Sequence, residues 1–219
     1  MASRIEDYAL IGDCETAALV SRDGSVDWLC WPRFDSDACF AALLGEPKHG
    51  RWRIAPNGPA RVTRQYRNDT LILETRFDTA EGAVTLVDFM PPRNDESDLV
   101  RLLIGERGRV PMSLELILRF GYGAIVPWVS RTEDGTWRAI AGPDMVTLRT
   151  PVNLVGENFT TTANFIVAEG ETIPFVLGYS PSTRPVPPVL DAKAALQETE
   201  SFWRDWAKTC RPAGEWSEA

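Results

Sequence analysis

The sequence predicts an all-β protein: a large two-sheet antiparallel β-sandwich, followed by a C-terminal linker helix. β-Branched and aromatic residues come in short runs bounded by Gly, Pro, Asn and Asp, and turn signals recur about every ten residues. No helical periodicity separates these runs, so the crossover helices that a parallel sheet needs are missing. The predicted strands cover residues 8–12, 15–21, 25–31, 51–55, 61–67, 70–77, 83–90, 99–106, 112–120, 136–140, 145–149, 159–167 and 172–179.

The first hairpin can be predicted residue by residue. Residues 22–24 fit a three-residue loop in which Gly24 takes the left-handed conformation that a Cβ would resist. This register places small side chains opposite large ones on one face of the hairpin. The predicted pairs are Val20 with Val26, Ala18 with Trp28, and Thr16 with Cys30.

Two segments depart from the strand pattern. Asp35 or Ser36 is a suitable N-cap for a short helix over residues 38–44, with Gly45 as its stop signal. The proline-rich stretch 180–188 then separates the strands from a longer helix that Asp191 would cap. Apolar or small residues recur at helical spacing there, at Ala192, Ala195, Leu196, Thr199, Phe202, Trp203 and Trp206.

Composition and charge narrow the class of protein. Among 219 residues, 44% are hydrophobic and 25% are charged, which is typical of a globular chain. A net charge of −8 argues against nucleic acid as a partner, because phosphate binding needs a basic surface. No apolar run is long enough to span a membrane. The start MASRIEDYAL lacks an apolar signal-peptide core, so a cytoplasmic location is expected.

Cysteine and histidine usage predicts that the chain holds neither a metal nor a cofactor. Its four cysteines show no CxxC pair, so we expect free and mostly buried thiols. The chain has a single histidine, His49, which lies in a predicted turn. One histidine cannot form a multi-histidine metal site. The cysteines are Cys14, Cys30, Cys39 and Cys210.

Several long stretches resemble one family. RIEDYALIGD (residues 4–13), TAALVSRDGSVDWLCWPRFDS (16–36) and FAALLG (40–45) closely resemble the N-terminal domain of glycoside hydrolase family 15, in its bacterial trehalase-like and glucoamylase-like members. The resemblance continues through TLVDFMP (85–91), RFGYG (119–123) with Pro127-Trp128, FVLGY (175–179) and FWRDW (202–206). One departure is Ala124, where many members carry arginine.

The resemblance implies a domain order and a role. It implies a β-sandwich over residues 1–188, a linker helix over 189–209, and the first residues of an (α/α)6 catalytic barrel, cut short, over 210–219. The family's general acid and base are glutamates of the barrel, so no catalytic residue is expected in this chain, and the chain alone should be inactive. The expected role is that of a non-catalytic domain of an inverting α-glucoside hydrolase, which packs on its own barrel and shapes the active-site entrance. The substrate stays open among trehalose, maltooligosaccharides and glucan.

Two groups of residues are candidates for that role. Trp31, Arg33, Phe34 and Asp35 combine aromatic rings, a guanidinium and a carboxylate, which are suited to contact a sugar at the rim of the pocket. The structural alternative is an Arg33–Asp35 ion pair that only stiffens the loop. Phe202, Trp203 and Trp206 are candidates for packing on the barrel. Without the barrel they would face solvent or drive self-association.

Two other functions stay open. The chain could be a stand-alone carbohydrate-binding module that uses exposed aromatics such as Trp128 and Trp137. It could also be a complete small enzyme that uses carboxylates of the sandwich itself. The coding sequence downstream of Ala219 would separate these alternatives from the first. The carboxylates concerned are Asp7, Asp13, Asp23, Asp27, Asp35, Asp37 and Asp88.

Overall fold

Two antiparallel sheets share one long strand. The computed structural model describes residues 4–93 and 96–209. In chain order the strands are β1 (Tyr8–Gly12), β2 (Ala17–Ser21), β3 (Ser25–Cys30), β4 (Ala38–Phe40), β5 (Arg51–Pro56), β6 (Arg61–Tyr66), β7 (Leu73–Asp78), β8 (Gly82–Phe89), β9 (Ser97–Ile117), β10 (Trp128–Arg131), β11 (Trp137–Ala141), β12 (Asp144–Arg149), β13 (Val155–Glu157), β14 (Thr160–Ala168) and β15 (Thr172–Pro181). A helix, α1 (Ala192–Thr209), follows them. Short 3-10 helices occupy Ile5–Asp7, Ala42–Leu44 and Pro47–His49.

The shared strand β9 divides between the sheets near its middle. The first sheet has the order β1-β2-β3-β5-β9-β14-β13, with β4 paired to β3. The second sheet has the order β6-β7-β8-β9-β15-β12-β11-β10. Residues 97–104 of β9 pair with β15, and residues 109–116 pair with β14, all antiparallel. The predicted all-β sandwich with a C-terminal helix is confirmed.

Side-chain alternation along β9 creates two cores. Leu99 and Leu103 point between the sheets and join the main core. Val100 and Leu102 point to the outer face of the second sheet, where α1 covers them. A strand buried on both faces explains why this part of β9 is almost continuously apolar.

Helix α1 begins as the sequence predicts. The Asp191 carboxylate accepts hydrogen bonds from the backbone amides of Lys193 at 2.9 Å and Ala194 at 3.1 Å. Ala192 and Ala195 are buried against the second sheet, because small side chains let the helix lie close to the strands. Among the described residues, no helix is long and apolar enough to cross a membrane.

A buried guanidinium links the two sheets. The Arg101 guanidinium donates to the Asp88 carboxylate at 2.7 and 3.1 Å, and both side chains are fully buried. The same guanidinium donates to the backbone carbonyls of Trp52 and Gly24, both at 2.8 Å, and lies 5.1 Å from the centre of the Trp52 ring. A side chain of the second sheet therefore satisfies backbone acceptors of the first.

The predicted register of the first hairpin is only partly correct. Val20 pairs with Val26 as predicted, and Gly24 has a positive φ of 79°. A β-bulge then shifts the pairing by one residue, so Trp28 faces Leu19 instead of Ala18. The extra residue is Asp27, whose carboxylate accepts hydrogen bonds from the Tyr8 and Ser25 hydroxyls. The remaining pairs of this hairpin shift in the same way, with Ala18 facing Leu29.

The predicted helix over residues 38–44 is wrong. Ala38–Phe40 forms β4, which pairs with β3, and only Ala42–Leu44 is helical, as a single 3-10 turn. All of Ala38–Phe40 is buried, and pairing on a sheet edge outweighs local helix propensity.

Strands 99–106 and 112–120 were predicted as separate, but they form the single strand β9. Glycines in its middle permit this continuity, since a Cβ on Gly105 would lie only 1.9 Å from the Ala168 carbonyl oxygen. The sequence pattern did not predict the short edge strands β10 and β13.

Removal of the buried Arg101 guanidinium should destabilise the fold strongly. Arg101→Met leaves the Asp88 carboxylate and two carbonyls buried without their donors, so we expect the free energy of unfolding to fall by about 3–5 kcal/mol in urea titrations. The matched control is Arg76→Met, because Arg76 forms a partly exposed pair with Asp78 at 3.0 Å. This control should lose less than about 1 kcal/mol. Similar losses in both variants would contradict the proposed role of Arg101.

Candidate functional site

One end of the sandwich collects loops from both sheets, and we name it the loop end. In the first sheet, the pairs Gly12↔Ala17 and Cys30↔Ala38 place the β1–β2 and β3–β4 connections at this end. In the second sheet, Ser97 pairs with Tyr179 where β9 begins. The connections at the loop end include residues 13–16, 31–37, 41–50, 90–93, 118–127 and 158–159.

A buried polar network joins these loops. Asp13 is 1% exposed and accepts hydrogen bonds from Arg93 at 2.7 and 3.0 Å and from the Ser97 hydroxyl at 2.7 Å. It also accepts hydrogen bonds from the backbone amides of Glu15 and Thr16, and these bonds close the β1–β2 turn. The Asp13 carboxylate thus accepts hydrogen bonds from one charged donor, Arg93, and from several neutral donors. This network fixes the loop end from the inside.

Trp31 is part of this buried network. Its indole Nε1 donates to the Ser97 hydroxyl at 2.9 Å, its ring packs 6.0 Å from that of Tyr179, and it is only 4% exposed. The Tyr179 hydroxyl donates to Asp144 at 2.7 Å, and burial together with this carboxylate raises the pKa of Tyr179. Trp31 therefore anchors the loop, and its ring is not presented to solvent as the rim prediction requires.

The rest of loop 31–36 projects into solvent. Arg33 and Asp35 form an ion pair at 2.9 Å, and their side chains are 65% and 73% exposed. The hydrogen bond from Arg33 lowers the pKa of Asp35. Phe34 is 64% exposed, while its backbone amide donates to the Glu15 carbonyl. The loop thus presents three of the four predicted rim residues on an anchored backbone, and their contact with substrate stays a prediction.

The loop 118–127 was not predicted as a functional site, although it contains the RFGYG motif. Three successive residues, 121–123, have positive φ, and the Tyr122 amide donates to the Ala38 carbonyl. The Tyr122 ring packs 6.1 Å from Trp28 and is still half exposed. Gly123 approaches His49 so closely that a Cβ there would lie 3.0 Å from the histidine side chain. The glycine-rich motif was the signal in the sequence for this turn.

Large apolar side chains are exposed at the loop end. They come from loops that are far apart in the sequence, which explains why no sequence window shows them as one patch. A globular surface normally exposes single apolar residues, whereas a group of them is typical of an interaction site. The group comes from the connecting loops and the first residue of β10. It consists of Phe34, Leu44, Tyr122, Ile125, Val126, Trp128 and Phe159.

Helix α1 ends at the loop end too. Its Glu200 carboxylate pairs with Arg67 at 3.0 Å, which ties the middle of the helix to the end of β6. Trp206 is 56% exposed and Phe202 is 38% exposed, whereas Trp203 is 8% exposed and lies edge-on to both rings. Of the three predicted packing residues, two are therefore open to solvent and the third supports them. Their role in packing on a barrel stays a prediction.

Most of the other carboxylate candidates have structural partners. Asp88, Asp13 and Asp23 pair with Arg101, Arg93 and Arg53. Nδ1 of His49 accepts the Glu46 backbone amide at 2.9 Å. Cys30 and Cys39 are buried and free, Cys14 is exposed, and Cys210 lies outside the described residues, as does the predicted barrel start 210–219. No group of three or more His, Cys, Asp or Glu residues in the described ranges could hold a metal.

The structure is a β-sandwich domain that exposes large apolar side chains at its loop end. The family model "Trehalase-like, N-terminal" matches residues 1–203, so the chain belongs to the trehalase-like N-terminal family. It is 30% identical to a trehalase of Mycolicibacterium smegmatis over 92% of this chain and 34% of that protein. It is 33% identical to Trehalase 2 of Sulfolobus acidocaldarius over 59% of this chain and 21% of that protein. It is 25% identical to a trehalase of Thermoplasma volcanium over 96% of this chain and 35% of that protein. The chain thus spans about a third or less of these relatives.

A carboxyl group with an unusual pKa lies beneath α1. Asp98 is on the outer face of the second sheet, where a Cβ on Gly178 would stand 2.6 Å from its Oδ1. It lines a cavity of about 260 Å³ together with Glu198 and Phe202. Burial first, and then the negative charge of Glu96, raise the pKa of Asp98 from its ordinary value of 3.8 to about 6.

Asp98 should make the stability of the domain depend on pH. Between pH 4 and 6 the folded chain retains a proton that the unfolded chain releases, so this contribution to stability is lost as the pH rises through 6. At pH 7.5 we expect Asp98→Asn to be more stable than the wild type by about 2 kcal/mol. The difference should shrink below pH 4. Urea titrations at both pH values test this, and a difference independent of pH would contradict it.

Proposed function

We propose that this chain is the non-catalytic N-terminal domain of an inverting α-glucoside hydrolase of the family 15 type, trehalase-like or glucoamylase-like, active in the cytoplasm. The sandwich, residues 1–188, and the linker helix, residues 189–209, pack on an (α/α)6 catalytic barrel that begins near residue 210. The substrate is an α-glucoside, and the general acid and base are on the barrel.

The exposed apolar side chains at the loop end are the observation that carries this proposal. Seven large apolar residues of the loops and β10, together with Phe202 and Trp206, are exposed at the same end of the molecule. Burial of such surface stabilises a complex by roughly 25 cal/mol per Å², so coverage by a second domain is strongly favoured. The length of the trehalase relatives supports the presence of such a domain, because the chain spans only 34% of the Mycolicibacterium smegmatis protein.

The polar loop 31–36 would lie at the edge of this contact. Arg33 and Asp35 are exposed and keep their geometry through their own ion pair, while Trp31 anchors the loop in the interior. A loop held in this way loses little conformational entropy when it binds a ligand. We therefore assign Arg33, Phe34 and Asp35 to the rim of the substrate entrance, and Trp31 to the support of that rim.

The isolated chain offers the same surface to a second copy of itself. Trp206 and Phe202 are the exposed aromatics of α1, so self-association of the isolated chain would proceed through this helix and the neighbouring loops. In the complete enzyme the barrel would occupy this surface, and the self-association would disappear.

Hydrogen exchange can test the docking surface. In the full-length protein, backbone amides of residues 31–36 and 119–127 should exchange at least about tenfold more slowly than in the isolated 219-residue chain, because the barrel excludes water from them. The turn at residues 79–82 lies at the opposite end of the sandwich and should exchange equally in both proteins. Unchanged exchange at the loop end would refute the docking proposal.

Kinetics of the full-length enzyme can test the rim. Arg33→Ala or Asp35→Ala should lower kcat/KM by about tenfold, equivalent to about 1.4 kcal/mol of transition-state stabilisation. Arg76→Ala and Asp78→Ala are matched controls, because this pair has the same spacing and a similar distance of 3.0 Å. The controls should leave kcat/KM unchanged. If the Arg33 and Asp35 variants behave like the controls, the loop has only a structural role.

A further inference from the structure

A deep cleft opens between the free edges of the two sheets. Its volume is about 510 Å³, within the range of small-molecule sites. Strands β10, β11 and β12 of the second sheet form one wall, and β9, β13 and β14 of the first sheet form the other. The floor consists of core side chains that strand alternation directs inward, namely Leu116, Leu118, Val146, Leu148 and Leu177.

An aromatic ring crosses the cleft. Trp137 comes from β11 and packs against the main core. Its ring edge reaches the opposite sheet, because a Cβ on Gly156 would lie 3.3 Å from it. Gly156 thus leaves the room that the indole occupies. Trp137 is half-buried, in contrast to the exposed position that the sequence suggested, whereas Trp128 at the mouth is 79% exposed.

Polar groups surround the apolar floor. The half-buried Arg119 guanidinium lines the cleft, and its hydrogen bonds within the described residues go only to the carbonyls of Leu118 and Phe159. Burial lowers its pKa, and no carboxylate of those residues pairs with it. Glu157 and Asn158 add acceptors and an amide at the same mouth. Arg131 and Arg138 line the cleft as well. Several guanidinium donors beside these acceptors suit a ligand with many hydroxyls.

The turn at the mouth is strained without any gain in packing. Asn158 and Phe159 form the two-residue connection between β13 and β14, and both have positive φ, 51° and 59°. Glycine is favoured at the second of these positions, and an aromatic residue there costs conformational energy. Phe159 is nevertheless 77% exposed, so burial in this chain does not compensate the cost. A ring held at the mouth of a cleft in this way is suited to contact a ligand.

We propose that this cleft binds an oligosaccharide of hexose units. Because Phe159 and Trp128 at its mouth also belong to the proposed docking surface, the site is tested in the isolated chain. The apolar face of a pyranose ring would pack on Phe159 and Trp137, because its C–H groups line up on one side. The hydroxyls at its edge would accept from Arg119 and donate to Glu157 and the Asn158 carbonyl group. Aromatic contact combined with a few convergent polar groups gives a site its orientation and specificity.

Calorimetric titration of the 219-residue chain with maltotriose, trehalose and cellotriose tests the site. At least one sugar should bind with one-to-one stoichiometry. Phe159→Gly removes the ring and relieves the strained backbone, so it should raise Tm while the affinity falls by about tenfold or more. Arg119→Gln should lower the affinity similarly. The control Ile5→Ala removes a comparably exposed large apolar side chain outside the cleft and should bind like the wild type.

Several other results would contradict the proposed sugar site. Absence of saturable binding by all three sugars would overturn the proposal, and so would wild-type affinity in Phe159→Gly. Loss of binding in Phe34→Ala alone would place the sugar at loop 31–36 instead. Saturable uptake of an apolar dye with no competition from the sugars would show that the cleft takes an apolar ligand. None of these outcomes depends on the exchange or kinetic experiments that test the docking role.

Discussion

The buried contact between Arg101 and the opposite sheet is the constraint on which the rest of the structure depends. Two fully buried charges lose their hydration, and their attraction alone does not always compensate this loss. Here the guanidinium also satisfies the carbonyls of Gly24 and Trp52, which belong to the other sheet. The contact therefore specifies how the two sheets align. Any slip of one sheet over the other would leave these two carbonyls, and the guanidinium N–H groups that bind them, unpaired in the core.

That alignment also fixes the loop end. Strand β9 belongs to both sheets, so the position of Ser97 at its start is determined once the sheets are in register. Ser97 and Arg93 then reach Asp13 on the first sheet, and Trp31 donates to Ser97. A second polar network thus repeats, at the end of the sandwich, the link that Arg101 makes in its middle. The exposed loops rest on this rigid base, as a binding surface requires.

The molecule exposes two kinds of surface that stability does not explain. The loop end shows apolar side chains from loops distant in the sequence. The cleft shows the Arg119 guanidinium, which has no carboxylate partner among the described residues, beside an exposed ring. Phe159 contributes to both, since its turn lies at the loop end and at the mouth of the cleft. The strained backbone at this residue is maintained because the ladder between β13 and β14 fixes both sides of the turn.

The sequence by itself determined the local features. Alternating apolar residues, turn signals and the Asp191 cap predicted the all-β class, most strands and the helix, because these depend on neighbours within a few residues. The family resemblance indicated the trehalase-like N-terminal domain. The residues Trp31, Arg33, Phe34 and Asp35 predicted a substrate rim, and the structure exposes all of them except Trp31.

Only the tertiary structure decided the features that depend on distant residues. The bulge at Asp27, the pairing of β4 and the continuity of β9 follow from contacts with other strands. The burial of Trp31 depends on its hydrogen bond to Ser97. The shape of the cleft depends on the close approach of Trp137 to Gly156. These contacts join residues 8 positions apart in the pairing of β4 and 66 positions apart in the bond from Trp31 to Ser97. Their free energies are set by the packing of both sheets together, which local sequence patterns do not reveal.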